Sequence, residues 1–371
     1  MSSYLRPHFF TTLLMLLFCL LLVTASSPQL DSTTRMQLDT VRRVKAYLVD
    51  GANQLKTHTT ALKNAGNTYY NEAKSAKFAY NKLAQEQPSA VLTTLQQARA
   101  SFLAANQAYG MIQGIVTGLP SLAKYDIILA SGIMGNGTGE DDNDPGTTHG
   151  TVVPFDLQLP DGRVLVTPGN LFDVTENTLW GLNPQYQTHV PFDYHNGHQV
   201  VGNVLPEANV LASVSLAIDQ YTDQLISDAQ KWQASLSDAF TVLLVNVTNV
   251  QVFFTSWETS LFVVNDASKQ FELTVHSRLT ELTNNITGWQ QLYALIGPLV
   301  RTVDSAQDRQ ITTGLADLKA YVSTIYQQQQ QGASFTVEKA DLISTEAGNR
   351  ANAIGDKITA AAASLKVPLP Q

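Results

Sequence analysis

The spacing of apolar residues on both sides of an irregular middle limits what this chain can fold into. Val41, Val44, Leu48, Ala52, Leu55, Thr59 and Leu62 recur at intervals of three and four. That period places them on one stripe of a long amphipathic helix, behind a helix-start cluster at Asp31-Ser32-Thr33-Thr34. Gly66 is expected to weaken or end this helix, and a less regular helical stretch follows over Thr68–Ala84. Pro88 interrupts the pattern. Val91, Leu95, Ala98, Phe102, Ala105, Tyr109, Ile112 and Val116 then make the clearest stripe of the first half, ending at Gly118-Leu119-Pro120.

The second half repeats the pattern. Pro206 sits where a helix can start without losing a hydrogen bond, and Leu211, Val214, Ile218, Tyr221, Leu225, Ala229, Trp232 and Leu236 follow. Residues 240–264 are rich in Val, Phe and Thr and read locally as strand. Their helical neighbours make helix the expectation. Leu273–Tyr293 and Leu299–Tyr326 are helix candidates separated by Gly297-Pro298. The last stripe carries Val337, Ile343, Ala347, Ala351, Ile354, Ile358 and Leu365. The expected fold is all-α, with two antiparallel helix bundles over 26–130 and 205–366 joined by a long irregular middle segment, 131–204.

The first residues read as a targeting segment. Arg6 precedes an apolar run from Leu13 to Val23, and Val23-Thr24-Ala25 supplies small residues for cleavage after Ala25. The expected location is secreted or periplasmic. Residues 1–25 contain Cys19, the one cysteine of the 371-residue chain. The remainder must therefore fold without disulfides and has neither thiol catalysis nor thiolate metal ligands. The balance is acidic, with 23 Lys and Arg against 31 Asp and Glu. It offers no basic footprint for a nucleic acid. Asn136-Gly-Thr, Asn246-Val-Thr and Asn285-Ile-Thr are sequons, candidate glycosylation sites on a secreted glycoprotein.

The middle segment holds the residues with metal-binding chemistry. Pro160-Asp161-Gly162 and Pro168-Gly169 are turn signals flanking Val164, Leu165 and Val166. Leu171–Trp180 then reads as a short helix. Asp173 and Glu176 are three residues apart and share one helical face. Two such carboxylates suit a hard cation. The same pair also fits a capping-box variant, with Asp173 at the helix start and Glu176 three residues on. Farther along, Asp193, His195 and His198 lie close together with His189 and Tyr194 in THVPFDYHNGH. Imidazole, carboxylate and phenolate are all iron-competent donors. The acidic run Glu140–Asp144 lacks the spacing of a calcium loop and reads as a solvated loop.

Several chemistries lack their motifs. There is no H-E-x-x-H zincin helix, no glycine-rich phosphate loop and no G-x-S-x-G nucleophile elbow.

The order of these elements resembles the imelysin family and its EfeO-type iron-uptake relatives. Phe172-Asp173-Val-Thr-Glu176-Asn-Thr-Leu179-Trp180-Gly181 fits the frame of the family's G-x-H-x-x-E motif, which continues in EfeO-type members to Leu-Trp-Gly. Asp173 stands where the family has histidine. A second block, His276-Ser-Arg-Leu-Thr-Glu281-Leu-Thr-Asn-Asn285-Ile-Thr-Gly288, fits the family's histidine, acidic stretch and Asn-Gly pattern. The middle stretch is also similar to algal iron-assimilation proteins of the phytotransferrin type. The resemblance implies an iron-binding protein for iron acquisition at the cell surface. It implies Asp173, Glu176 and His276 as ligands, with Asp193, His195 and His198 of second rank. A membrane iron permease, or a reductase or oxidase, would be the partner. Aspartate in place of histidine makes the site harder and favours Fe3+ over Fe2+. Two alternatives stand beside this reading: an imelysin-like metallopeptidase and a structural surface protein without ligand. On the family frame Asn285 falls on a packed helix, which would leave its sequon unused.

Overall fold

A computed structural model describes residues 31–134, 151–195, 202–258, 260, 262–263 and 277–369. The chain divides into two units after Asp39. In the first, Asp31 caps the opening helix as its sequence suggests: the Thr34 N–H donates to Asp31 Oδ1 at 2.9 Å. The packing described below concerns the second.

The described residues are predominantly helical. Helix α1 spans Ser32–Ser75, α2 Tyr80–Glu86 and α3 Pro88–Gly118. A short α4, Ala123–Asp126, runs into a π-helical turn at Ile127–Ser131. The middle segment adds β1 (Ile133–Met134) paired with β2 (Thr151–Val152), and β3 (Leu157–Gln158) paired with β4 (Val164–Leu165). Helix α5 follows at Leu171–Leu179. Strand β5 (Gln187–Pro191) pairs with β6 (Val204–Pro206). All three pairs are antiparallel. The second half is α6 (Ala208–Lys231), α7 (Leu236–Thr248), α8 (Val250–Glu258), α9 (Arg278–Val303), α10 (Ser305–Gln330) and α11 (Val337–Ser364).

The apolar stripes become one hydrophobic core. Val44, Leu48, Ala52, Leu55 and Leu62 of α1 are buried, as are all eight stripe residues of α3. Fully burying a Leu or Val side chain stabilises by roughly 1.5–3 kcal/mol. The Val- and Phe-rich stretch is helical up to Thr248 and over Val250–Glu258, and the described residues beyond it, 260 and 262–263, are bend and turn. Leu236–Glu258 is long and apolar enough, by length and composition, to cross a membrane. Here its Phe240, Leu243, Val247, Phe254 and Trp257 are buried in the core. Trp257 donates from Nε1 to Gln329 Oε1 at 3.0 Å and meets Phe335 edge-on.

Three helix boundaries differ from the sequence expectation. Helix α1 passes through Gly66 without a break. A Cβ there would lie 2.6 Å from Ser215 Oγ on α6, so the glycine serves helix contact rather than termination. The chain reverses later, at Lys77 and Phe78, both left-handed (φ 55° and 58°). The Phe78 ring settles between Tyr70 and Tyr80 and so offsets the strain of that conformation. Helix α9 likewise continues through Gly297-Pro298. The break falls at Asp304, whose carboxylate accepts the Ala306 and Gln307 N–H groups, each at 2.9 Å, to start α10. Pro206 ends β6 instead of opening a helix; Glu207 caps α6 by accepting from the Val210 N–H at 3.0 Å.

The helical segments on either side of the middle segment interlock. Helix α6 lies antiparallel against α1: Tyr69 Oη donates to Pro206 O at 2.9 Å, and Asp219 takes Lys56 at 2.9 Å and also pairs with Lys63. Helix α3 is held by α7, where Asn246 Nδ2 donates to Gly114 O at 2.9 Å. It is also crossed by α9. The approach there is so close that a Cβ on Gly288 would sit 2.1 Å from Met111 O. Helices α9, α10 and α11 stack antiparallel. Arg301 reaches Asp308 at 2.8 Å, and Gln307 donates to Lys357 O at 2.8 Å.

Asp219 is 3% exposed. Burial alone would raise its pKa, but hydrogen bonds from Lys63, Lys56 and Thr60 hold it below the ordinary value of 3.8. A depressed carboxylate contributes stability above its unfolded pKa and loses it as pH falls through the folded value. Asp219→Asn should therefore cost about 1–2 kcal/mol at pH 7. The gap to the wild type should close below about pH 4; urea unfolding across a pH series measures both.

Candidate functional site

The motif helix α5 is built from its ends inward. Asn170 adopts an extended conformation (φ −53°, ψ 152°) and accepts the Asp173 N–H at 3.0 Å. Its Nδ2 donates back to Asp173 Oδ2 at 2.5 Å. The cap is thus the Asn170–Asp173 pair, and the expected capping pair of Asp173 with Glu176 is corrected by one turn. Asp173 is the third residue of the helix and half-buried. Glu176 has no place in the cap: it is mid-helix and 2% exposed. The aromatic face of α5 enters the core, where the Phe172 ring meets Tyr109 at 5.5 Å and Phe102 at 6.0 Å, both edge-on.

The other end of α5 is held by Arg99 of α3, which is 7% exposed. Its Nη2 donates to Leu179 O and to Gly202 O, each at 2.8 Å. Its guanidinium lies 3.6 Å from the Tyr194 ring centre and 5.0 Å from that of Trp180. A cation at a helix C-terminus is favourable, and more so between aromatic faces. Burial holds the Arg99 pKa below its usual value, with the Tyr194 hydroxyl opposing the shift. Arg99 therefore ties the Leu-Trp-Gly end of the motif to the loop before β6.

The other expected ligands are placed as follows. Asp193 and His195 pair with each other on the surface, His195 Nδ1 lying 3.1 Å from Asp193 Oδ2, with both side chains at least 70% exposed. They edge a cavity of about 420 Å³ beside the start of α3. His198 and His276 lie outside the described residues, as does the sequon at Asn136. Among the described residues, no three of His, Cys, Asp and Glu are grouped to hold a metal ion. The other two sequons fall on packed side chains. Asn285 is 2% exposed and donates to Gln113 Oε1 at 3.1 Å. Asn246 Nδ2 serves both Gly114 O and Val242 O.

The sequence gives little sign of a second feature. A cavity of about 610 Å³ opens between α3, the π-helical turn, the α7–α8 joint and the start of α9. Asp126, Gln113, Glu281 and Asn285 line it, and all four are buried. Asp126 Oδ1 accepts from Tyr109 Oη at 2.7 Å and from Gln113 Nε2 at 3.1 Å. Glu281 pairs with Arg278 at 2.7 Å. Burial pushes the Asp126 carboxyl above its ordinary pKa, against its hydrogen bonds; the nearby Glu281 adds to the rise. Asp126 sits in a four-residue helix with no periodic pattern, so only its position after Tyr125 in an apolar run hinted at burial.

No protein-family model matches the chain, and no curated protein matches it either.

Two outcomes test this description. Arg99→Met leaves the Leu179 and Gly202 carbonyls without their donor and should lower stability by about 2–4 kcal/mol in urea unfolding. Arg99→Lys should restore only part, because an ammonium lacks the planar fork. Asp126 has a raised pKa, so the folded state holds its proton more tightly than the unfolded chain does, and folding loses stability as pH rises from about 4. Asp126→Asn removes that slope. Its stability relative to the wild type should rise between pH 4 and pH 7 in the same assay.

Proposed function

We propose that this chain is an exported iron-binding protein that acquires Fe3+ at the cell surface or in the periplasm. One observation carries the reading: both motif blocks meet the same turn of α3. Tyr109 meets Phe172 of the first block edge-on, and the adjacent Gly110 lies against Asn284 of the second. His276 immediately precedes Ser277, the residue that caps α9. Rigid ends on α5 support it too, because a preorganised donor loses less entropy on binding.

On this reading Asp173 and Glu176 supply carboxylate oxygen and His276 a nitrogen, with Asp193, His195 and His198 as outer candidates. Oxygen-rich donors suit a hard trivalent ion. Acquisition then requires transfer to a membrane permease or a redox partner. The test is titration of the mature protein with Fe3+ supplied as its nitrilotriacetate complex, beside Glu176→Gln, an isosteric change. The variant should bind at least tenfold more weakly with an unchanged circular dichroism spectrum. Equal stoichiometric binding by both would remove Glu176 from the site.

A further inference from the structure

Two of the three sequons carry an inference independent of the iron reading. N-glycosylation replaces one hydrogen of an asparagine Nδ2. The nitrogen bonds to C1 of a sugar, and the C1–O bond to a lipid diphosphate breaks. The diphosphate leaves with the electron pair, and one Nδ2 proton is released. The bulky product needs a free amide edge with open water beyond it. Asn285 and Asn246 have neither in the fold.

Asn285 lies on α9 where that helix crosses α3. It is 2% exposed, and its Nδ2 donates to Gln113 Oε1 at 3.1 Å. The crossing has no room for a substituent. Three residues on, a Cβ on Gly288 would sit 2.1 Å from Met111 O, and a Cβ on Gly110 of α3 would sit 2.9 Å from Asn284 Cβ. Asn246 on α7 has two Nδ2 hydrogens, and both are committed. One goes to Gly114 O of α3 at 2.9 Å, the other to Val242 O at 2.7 Å. A sugar on that nitrogen breaks one of these bonds. Both residues border the cavity at the α7–α8 joint, yet each linking nitrogen is held by a partner on α3.

The sequon threonines are engaged as well. Thr287 Oγ1 donates to Thr283 O at 2.7 Å and Thr248 Oγ1 to Leu244 O at 2.8 Å, each along its own helix. Modified sequons belong to surface loops of secreted proteins. These two lie within α7 and α9.

We infer that folding and N-glycosylation at Asn285 and Asn246 are mutually exclusive fates of this chain. The unfolded chain is an acceptor and the folded chain is not. A chain modified at either position cannot bring α3 against α7 and α9. The modifying partner is an oligosaccharyltransferase charged with a lipid-linked oligosaccharide. An exported chain therefore reaches its working form where folding precedes or avoids that enzyme.

The experiment is a competition. The mature protein, unfolded in urea, is diluted into buffer holding purified oligosaccharyltransferase, lipid-linked oligosaccharide and a synthetic acceptor peptide that reports enzyme activity. Native monomer and unfolded chain are separated by size, and occupancy at each sequon is read by mass spectrometry. Asn136, outside the described residues, is scored separately. The expected result is occupancy at Asn285 and Asn246 in the unfolded fraction alone. The yield of native monomer should fall by the fraction of chains so occupied. Thr248→Val combined with Thr287→Val, which keeps both asparagines, should restore that yield to its enzyme-free level. Enzyme added after refolding should modify neither position while still consuming the peptide. Any of three results overturns the inference: a monomer of wild-type circular dichroism and Tm carrying a glycan at Asn285 or Asn246, modification of the refolded protein at either, or a diluted chain left unmodified at both while the peptide is consumed.

Discussion

The fold depends on the crossing of α3 and α9. Two helices approach this closely only where one side has no side chain in the way. Gly288 provides that gap against the Met111 carbonyl, and Gly114 does so against the Trp289 indole, whose Nε1 would be 2.9 Å from an added Cβ. Larger residues would push the axes apart by the thickness of a methyl group or more, and packed cores yield little to such a change. Everything near the motif blocks follows from this contact. It sets Gln113 opposite Asn285, fixes the floor of the polar cavity and holds Tyr109 between Phe172 and Asp126.

Most of the architecture was legible because burial repeats at the helical period. Where a stripe was regular, as in α3, the residues expected inside are the residues buried; in α11 Ala347, Ala351, Ile354 and Ile358 are buried but Val337, at the helix start, is exposed. The misreadings share a cause. Gly66 and Gly297-Pro298 look like helix ends when local propensity is considered alone. In the folded chain each is a place where another element comes close: Ser215 beside Gly66, and Asp308 beside Gly297. A glycine required for contact and a glycine required for termination are the same letter. Only the partner tells them apart.

The candidate site was legible in part. Asp173 and Glu176 stood out by spacing, yet spacing could not say that Asn170 takes the capping role and leaves Glu176 to the interior. Arg99 gave no signal, because it sits among the polar positions of an amphipathic helix until the Leu179 carbonyl arrives from 80 residues away. Asp126 was hidden for the same reason. Its neighbours, Tyr109, Gln113 and Glu281, lie on helices of both halves, and no local pattern encodes their meeting. Side chains that act through distant partners are read from structure, whereas stripes are read from sequence.

The interlocking of early and late helices bears on how the polypeptide is made. Asp219 reaches back 156 positions to Lys63, and Asn285 reaches back 172 to Gln113. Closing such long loops comes late and at an entropic cost. At ribosomal speeds of roughly 5–20 residues per second, the apolar faces of α1 and α3 wait on the order of ten seconds or more for their covers to be synthesised. During that interval the nascent chain displays the kind of surface that chaperones recognise. Its biogenesis would therefore be governed as much by what shields those faces in transit as by the strength of the finished core.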